Sequence, residues 1–294
     1  MIDLDQVRTF VAVIEAGSFQ DAAVRLGIAQ PTVSQHVKKL EATLGYLLIE
    51  RTRVQAGTTA HGARFLPYAK RLLQVAERAQ NALDRGHLAI GASSNIGVYI
   101  LQPFLKTFRS MQPPTSRLNL RIGTNADVAK QLEDAEIDIG LMEWWDERPG
   151  FAAQIWRHER LVVIVSPQHS WAHRKTIGKS ELLEEPMIGG EPGTGTARLL
   201  QRAFNLDAGS LKIGMQLGST EAVKQAVRAG LGISIALESA VRDELKSGAL
   251  HALAIRDARL SKPLFSIVPD SLPPDNAART FGAFLQASSG GARA

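Results

Sequence analysis

The sequence predicts a multidomain α/β chain: an N-terminal winged helix-turn-helix, a long linker helix and a C-terminal α/β domain of two subdomains. Three observations predict this order. Residues 1–45 contain three short amphipathic patterns with the helical period. A longer helical stretch with apolar residues at heptad spacing follows. Beyond residue 86, short apolar runs alternate with helical stretches, as in a sheet covered by helices. The domain limits we expect are 1–58, 59–86 and 87–294.

Composition excludes several classes of protein. The 294 residues are 45% hydrophobic and 21% charged, as in an ordinary soluble globular chain. No apolar run approaches the roughly 20 residues of a membrane helix, and the acidic start is unlike an export signal. We therefore expect a cytoplasmic protein with no membrane partner. Because the chain has no cysteine, disulfides, thiolate metal sites and a cysteine nucleophile are excluded.

Helix start and stop signals divide the first 45 residues. Gly17 and Gly27 are placed to end the first two helices, and Ser18 begins the second. Pro31 fits the first turn of a third helix that runs to Leu44. Two short helices joined by a glycine-containing turn predict a helix-turn-helix.

The third helix has two different faces. Val33, Val37 and Leu40 share one face and are expected in the core. The other face carries short hydrogen-bonding side chains and lysine, which suit base edges and phosphates in a DNA major groove. A solvated helix face is the alternative. The candidate DNA-binding residues here are Gln30, Pro31, Thr32, Ser34, Gln35, Lys38 and Lys39.

Positive charge is concentrated in the same region. Between Arg25 and Arg71 there are eight basic and two acidic side chains, whereas the whole chain has a net charge of +5. Residues 47–53 and 54–59 read as two short strands, a wing with Arg51 and Arg53 at its turn. These two arginines are expected on the DNA backbone or the flanking groove.

The N-terminal segment resembles the DNA-binding domain of the LysR-type transcriptional regulators. The resemblance implies that the helix beginning at Gln30 enters the major groove and that a wing arginine contacts DNA. Two departures are Leu48, where the family usually has phenylalanine, and the end of the wing, which reads Gly57-Thr58-Thr59-Ala60-His61-Gly62. The matching positions are Phe10, Glu15, Gly17-Ser18-Phe19, Ala22-Ala23, Leu26, Gln30-Pro31-Thr32-Val33-Ser34-Gln35, Lys39-Leu40-Glu41, Leu44-Gly45 and Glu50-Arg51.

The linker helix carries a candidate dimer seam. Its apolar residues are spaced 4, 3, 4, 3 and 4, which is the spacing of paired helices, and the resemblance also implies a dimerising linker. Packing on the chain's own second domain is the alternative. Pro67 predicts a kink or a late helix start. The seam residues are Phe65, Ala69, Leu72, Ala76, Ala79 and Leu83.

The last two thirds of the chain predict a mostly parallel sheet with helices on both faces. The resemblance extends here through four segments, and it implies a regulatory domain similar in fold to periplasmic solute-binding proteins. It also implies a first subdomain of about 88–161 plus 267–294 and a second of about 162–266. The four segments are Gly91-Ala92-Ser93, 138–141, 191–196 and 218–223 with 230–233, and the expected strands are 88–92, 118–122, 137–142, 161–165, 213–217, 233–237 and 265–268.

Polar residues follow several of these strands or precede helices. Ligands of open α/β sheets bind at such places, and free backbone N–H groups at a helix start favour anions. A small anionic or polar effector is therefore expected between the subdomains. Each residue could instead be only a cap or a turn residue. The candidates are Ser93, Ser94, Asn95, Thr124, Asn125, Gly193, Thr194, Gly195, Thr196, Ser219 and Thr220.

No catalytic motif is present. The chain lacks a phosphate loop, a nucleophile elbow and a zinc-protease helix, so we expect neither enzymatic activity nor a cofactor. His169 and His173 are four residues apart, but the surrounding sequence indicates an exposed loop rather than a metal site.

The resemblance implies a transcriptional regulator that binds double-stranded promoter DNA at an inverted repeat and responds to a small effector. It further implies a homo-oligomer, a dimer that forms a tetramer, and contact with RNA polymerase. The alternative is a solute-binding protein of similar fold, which leaves about 86 N-terminal residues and the missing export signal unexplained.

Overall fold

The computed structural model describes residues 1–51, 56–81, 87–190, 195–205, 212–256, 258 and 260–289. Contacts group the chain into two compact units, Met1–Asp84 and Arg85–Ala294. None of the helices in these described ranges has a stretch apolar enough to cross a lipid bilayer.

The N-terminal unit begins with three helices at the positions that the start and stop signals predict. Asp3 and Ser18 cap the first two helices with their side chains, and Gly17, Gly27 and Gly45 end the three in a left-handed conformation, as expected. A two-stranded antiparallel wing and a long helix follow. The elements are α1 (Leu4–Ala16), α2 (Phe19–Leu26), α3 (Gln30–Leu44), β1 (Ile49–Arg51), β2 (Ala56–Thr58) and α4 (Ala60–Asn81).

Helices α1, α2 and α3 enclose one apolar core. Val33, Val37 and Leu40 of α3 are fully buried there, and Phe10 of α1 is the largest side chain among them. Helix α4 begins at Ala60, seven residues before Pro67, so the late start considered for it does not occur.

The C-terminal unit alternates strands and helices. Its elements are β3 (His87–Ser93), a π-helix (Ile96–Ile100), α5 (Gln102–Ser110), β4 (Arg117–Gly123), α6 (Asn125–Glu133), β5 (Ile139–Met142), β6 (Phe151–Val165), β7 (Thr176–Ile177), α7 (Lys179–Glu184), β8 (Met187–Gly189), α8 (Thr196–Phe204), β9 (Ile213–Gln216), α9 (Thr220–Arg228), β10 (Ser234–Leu237), a 3₁₀-helix (Glu238–Val241), α10 (Arg242–Ser247), β11 (His251–Ile255), β12 (Ser261–Pro269) and α11 (Ala277–Ser289).

The main sheet has the order β4-β3-β5-β12-β6-β11-β7, with β10 also paired to β6. Strands β3, β4 and β5 are parallel, but β12 is antiparallel to β5 and to the first part of β6. The last part of β6 is antiparallel to β10 and β11. The expectation of a mostly parallel sheet is therefore wrong. Two strands, β6 and β12, run in opposite directions at the centre and make it a mixed sheet.

Strands β6 and β12 connect the two halves of this unit. Residues 151–160 of β6 pair with β12, whereas residues 161–165 pair with β10 and β11. The pairing of β6 with β12 shifts register between Leu264 and Phe265. A bulge of this kind bends a strand, which suits a strand that passes from one half to the other.

Candidate DNA-binding helix and effector cavity

The outward face of α3 is polar and accessible in the N-terminal unit. Pro31, Gln35, Lys38 and Lys39 are exposed, while Thr32, Ser34 and Gln30 are half-buried. The Gln30 side-chain amide donates to Ser34 Oγ at 3.1 Å. All seven candidate residues of α3 therefore lie outside the apolar core that holds Val33, Val37 and Leu40.

Two polar contacts fix α3 against its neighbours. The Thr9 hydroxyl donates to the Asp5 carbonyl at 2.7 Å, and its oxygen lies 3.0 Å from His36 Nδ1. Because the hydroxyl proton is already used, the His36 ring is the donor in the second contact. The Glu41 carboxylate accepts from the backbone N–H of Leu48 at 2.8 Å and of Ile49 at 3.2 Å. Helix α3 thereby holds the start of the wing.

The wing is also tied at its far end. Ala56 N–H donates to the Gly17 carbonyl at 2.8 Å, which attaches β2 to the turn between α1 and α2. Thr59 Oγ1 accepts from Gly62 N–H at 2.9 Å and so caps α4. A side chain at Gly62 would place its Cβ 1.9 Å from the Leu48 carbonyl oxygen, so glycine is required there. The unusual end of the wing is thus a helix cap and a close backbone contact.

The two wing arginines are only partly described. Arg51 is the last residue of β1, and its backbone pairs with Ala56. Its side chain and the whole of Arg53 lie outside the described residues.

One carboxylate links three helices of this unit. Glu15 of α1 lies 3.0 Å from Arg25 of α2 and 3.0 Å from Lys70 of α4. The hydrogen bond from Lys70 lowers the pKa of Glu15 below its usual value, and the charges of Lys70 and Arg25 act in the same direction against the effect of burial.

Part of the expected seam on α4 packs against the core of the N-terminal unit. Phe65 packs against that unit's core, with its ring centroid 5.7 Å from that of Phe10, and Ala69 is fully buried. Ala69 is therefore closed to a second chain in this structure, and Phe65 is half-buried against the core. The large apolar side chains that α4 does expose are Tyr68, Leu72 and Val75. Leu83 lies outside the described residues.

In the C-terminal unit, a cavity of about 300 Å³ lies between the two halves. Four of the expected effector residues line it: Asn95, Gly195, Thr196 and Thr220. Its wall also carries two cations, Arg198 and Lys262, and the indole of Trp144, and the Arg198 guanidinium lies 4.8 Å from the centre of that ring. None of the described lining residues carries a carboxylate.

A buried ion pair organises the polar wall of this cavity. Lys262 Nζ lies 2.7 Å from Glu143 Oε2, with side chains only 3% and 1% exposed. Lys262 also donates to Thr196 Oγ1 at 2.7 Å. The Glu143 carboxylate accepts from Asn95 Nδ2 at 3.0 Å, and Thr220 Oγ1 donates to Asn95 Oδ1 at 2.6 Å. This network joins side chains from both halves.

The other effector candidates that the structure describes are not among the residues that line the cavity. Thr124 and Ser219 cap α6 and α9. Ser94 donates to the Gly123 carbonyl, and Asn125 bridges the backbone of Glu143 and Trp144. Ser93 is buried, and its hydroxyl donates to Glu143 Oε1 at 3.5 Å. Gly193 and Thr194 lie outside the described residues.

Sequence reasoning missed the pair Glu143 and Lys262. Glu143 comes directly after the expected strand 137–142, so the rule applied to Ser93 and Thr124 also covers it. Lys262 has no such local signal, because it lies 119 residues from its partner and enters the wall on β12. The two histidines do not form a metal site with other residues: within the described part, no group of three or more metal-ligating side chains exists.

Comparisons with known proteins agree with this two-part organisation. Residues 4–63 match the bacterial regulatory helix-turn-helix proteins of the lysR family, and residues 81–290 match the LysR substrate binding domain. The HTH-type transcriptional regulator PtxE of Stutzerimonas stutzeri is 45% identical over 190 residues, covering 65% of this chain and 97% of PtxE. YeiE, an HTH-type transcriptional regulator of Escherichia coli K12, is 32% identical over 282 residues, covering 95% of this chain and 96% of YeiE.

Solved structures give the same assignment. Full-length CbnR in complex with its target DNA matches with a TM-score of 0.72 and 25% identity, covering 98% of this chain and 100% of that one. The matched families and relatives are transcriptional regulators, not enzymes. With a helix-turn-helix for DNA and an α/β domain for an effector, the chain belongs to the LysR family of transcriptional regulators.

Proposed function

We propose that helix α3 reads promoter DNA through its exposed polar face. Gln30, Pro31, Thr32, Ser34, Gln35 and Lys38 lie against the major groove, with Lys39, Arg51 and Arg53 on phosphates or the flanking groove. The observation that carries this proposal is the division of α3 itself. Val33, Val37 and Leu40 are fully buried, which leaves amide, hydroxyl and ammonium groups outside. The assignment of Arg51 and Arg53 depends on sequence alone.

Two such helices are needed to read an inverted repeat, and we propose that α4 pairs two chains. The seam consists of Tyr68, Leu72, Val75 and Ala79, which are spaced 4, 3 and 4 and all exposed in the single chain. It keeps Leu72 and Ala79 of the expected seam and replaces Phe65 and Ala69, which the N-terminal core uses. Within this proposal residues 1–58 are the DNA-binding domain, 59–86 the linker and 87–294 the effector domain.

The effector is a small anion that binds in the 300 Å³ cavity. Among the described residues, Glu143 pairs with Lys262, and Arg198 is the other cation in the cavity wall. A negatively charged group therefore gains charge-assisted hydrogen bonds from lysine and arginine and a contact with the Thr196 hydroxyl. The effector acts by its difference in affinity between two arrangements of the domain.

The proposed setting is the bacterial cytoplasm, where promoter DNA and RNA polymerase are present. The regulator assembles as a dimer and, from its resemblance to the family, as a tetramer. Contact with RNA polymerase is the route by which a bound regulator changes transcription.

Footprinting on the DNA upstream of the chain's own gene tests the proposal. The expected result is protection of two half-sites about one or more helical turns apart. A thermal-shift screen of small carboxylates, phosphates and sulfur oxyanions runs in parallel. Tight binding of a solute together with no footprint at any concentration would favour a solute-binding protein instead.

A further inference from the structure

A second cavity of about 1160 Å³ lies elsewhere on the C-terminal unit. The middle of β6, the 3₁₀-helix with α10, and the end of α11 form its walls. It shares no described lining residue with the effector cavity. Its volume is similar to the upper range of small-molecule sites, about 300–1,000 Å³.

The walls of this second cavity carry an excess of positive charge. Of its four cations, Arg157 pairs with Glu159, and Arg160 lies 3.3 Å from Glu238. The other two, Arg242 and Lys246, are one turn apart on α10 and exposed. The described residues provide neither with an ion pair. A ligand with negative charge would therefore meet two cations whose charge no ion pair among the described residues neutralises.

The same cavity gathers buried polar atoms without hydrogen-bond partners. Trp156 Nε1, Ser239 Oγ and Ser289 Oγ have no partner among the described residues, and all three side chains line it. Trp156 is only 3% exposed. A buried polar atom without a partner costs about 1–3 kcal/mol, so such atoms are uncommon unless something else satisfies them. The walls of this cavity thus hold three hydrogen-bonding groups that the described residues leave unsatisfied.

From these observations we propose that this cavity is a second ligand site, specific for a small phosphate compound that carries two or more negative charges. Arginine guanidinium groups bind phosphate oxygens in a planar, two-bond geometry, and a phosphate compound with several charges can meet Arg242 and Lys246 together. Ile155 and Leu245 add apolar surface beside the charges, which suits an organic phosphate.

The position of the site gives the ligand a regulatory role. Helix α10 lies in the half of the domain built on β10 and β11, whereas α11 packs on β3, β5 and β12 in the other half. Strand β6 passes through both. A ligand that contacts α10 and β6 together favours one arrangement of the halves, independently of the effector cavity.

Calorimetric titration of the full-length chain with inorganic tripolyphosphate in low-salt buffer tests this site. Every chain in this titration carries Lys38→Ala and Lys39→Ala, which remove phosphate binding at α3. One equivalent is expected to bind at this cavity, apart from any bound in the effector cavity, and Arg242→Ala with Lys246→Ala is expected to weaken binding of that equivalent about tenfold or more. The matched control is Lys130→Ala with Arg228→Ala, which removes two exposed cations outside the cavity and leaves the affinity unchanged.

Ser239→Ala separates a binding role from a structural one. Without ligand the variant unfolds at the same or a higher temperature, because the lost hydroxyl has no partner. With tripolyphosphate the affinity falls about threefold to tenfold. The proposal is overturned if tripolyphosphate does not bind, or if the control pair weakens its binding as much as Arg242→Ala with Lys246→Ala does. It is also overturned if a hexaglutamate peptide displaces tripolyphosphate and binds more tightly. None of these readouts uses promoter DNA, so failure here is distinct from failure of the proposed function.

Discussion

Thr124 and Thr196 both lie where a loop leads into a helix, but their hydroxyls make different contacts. Thr124 uses its hydroxyl to cap α6, whereas Thr196 accepts from Lys262 and lines the effector cavity. Local sequence predicts that both are polar positions at helix starts. It does not tell them apart, because the difference depends on Lys262, which arrives from a distant strand.

The two threonines therefore make a matched pair of variants. Thr196→Ala is expected to weaken effector binding about fivefold to fiftyfold, because a ligand-facing hydroxyl is lost, and to leave DNA affinity without effector unchanged. Thr124→Ala is expected to cost about 1 kcal/mol of stability through its lost cap and to leave effector affinity unchanged. Calorimetry and denaturant unfolding measure the two effects. Equal effector affinity in Thr196→Ala and the parent chain would place the site elsewhere.

The exposed face of α3 makes a separate prediction. Gln35→Ala is expected to lose roughly 1–3 kcal/mol of binding energy on the cognate site and little on random DNA, since an amide reads base edges. Arg53→Ala, in contrast, is expected to weaken binding to both and to flatten the salt dependence. Quantitative gel-shift titrations at several salt concentrations measure both. Equal losses on cognate and random DNA for Gln35→Ala would remove its base-reading role.

At the scale of elements, the helices of the N-terminal unit were the most predictable part. Their start and stop signals are local, so Ser18, Gly27 and Gly45 fix the limits from sequence alone. Strands β7, β8 and β11 were not predicted, and the two or three residues of β7 and β8 are too few to show a detectable alternation. The seam on α4 was placed on Phe65 and Ala69 because heptad spacing does not say which partner covers an apolar stripe.

The revised seam is testable with one substitution and one control. Val75→Glu places a charge on the seam and is expected to raise the dissociation constant of the dimer about tenfold or more. Gln80→Glu adds the same charge to an exposed position of α4 off the seam and is expected to leave the dimer intact. Sedimentation at a series of concentrations measures both. An unchanged dimer in Val75→Glu would exclude this face.

The junction of α1, α2 and α4 at Glu15 predicts an acid-dependent stability. The pKa of Glu15 is lower in the folded chain, so its ion pairs stabilise the fold above the ordinary glutamate pKa of about 4.3. That contribution is lost as pH falls through the lowered value. Glu15→Gln is therefore expected to reduce stability at pH 7 modestly and to flatten its decline in acid. Urea unfolding of both chains from neutral to acidic pH measures this, and parallel curves would contradict it.

On the scale of the whole molecule, the sequence predicts the order of its parts and the two-half construction of the effector domain. It did not predict a mixed sheet, because the apolar run of β6 indicates only its buried end, Leu161 to Val165, and not the nine residues that pair with β12. The buried pair Glu143 and Lys262 was missed for a related reason. Strand β12 brings Lys262 next to Glu143, and no local sequence pattern connects these two residues.

Regulation through two binding functions on one chain has a thermodynamic requirement. If the effector changes operator affinity by some factor, operator DNA must change effector affinity by the same factor. Calorimetric titration of the effector with and without the footprinted duplex is expected to give that equality. Unequal factors at equilibrium would mean that a third species, such as a change in oligomeric state, takes part.

The start of α4 is built into the DNA-binding head. Phe65 and Ala69 lie in the head's core, and Gly62 touches the Leu48 carbonyl, so this half of the helix cannot turn without moving the head. A rotation of the paired α4 helices about their axes would therefore also turn α3. One alanine inserted after Leu73 would leave the core contacts intact yet turn Val75 and Ala79 by about 100° away from Tyr68 and Leu72, and so split the proposed seam. In the proposed dimer, the helical phase of α4 therefore couples the seam to the orientation of α3.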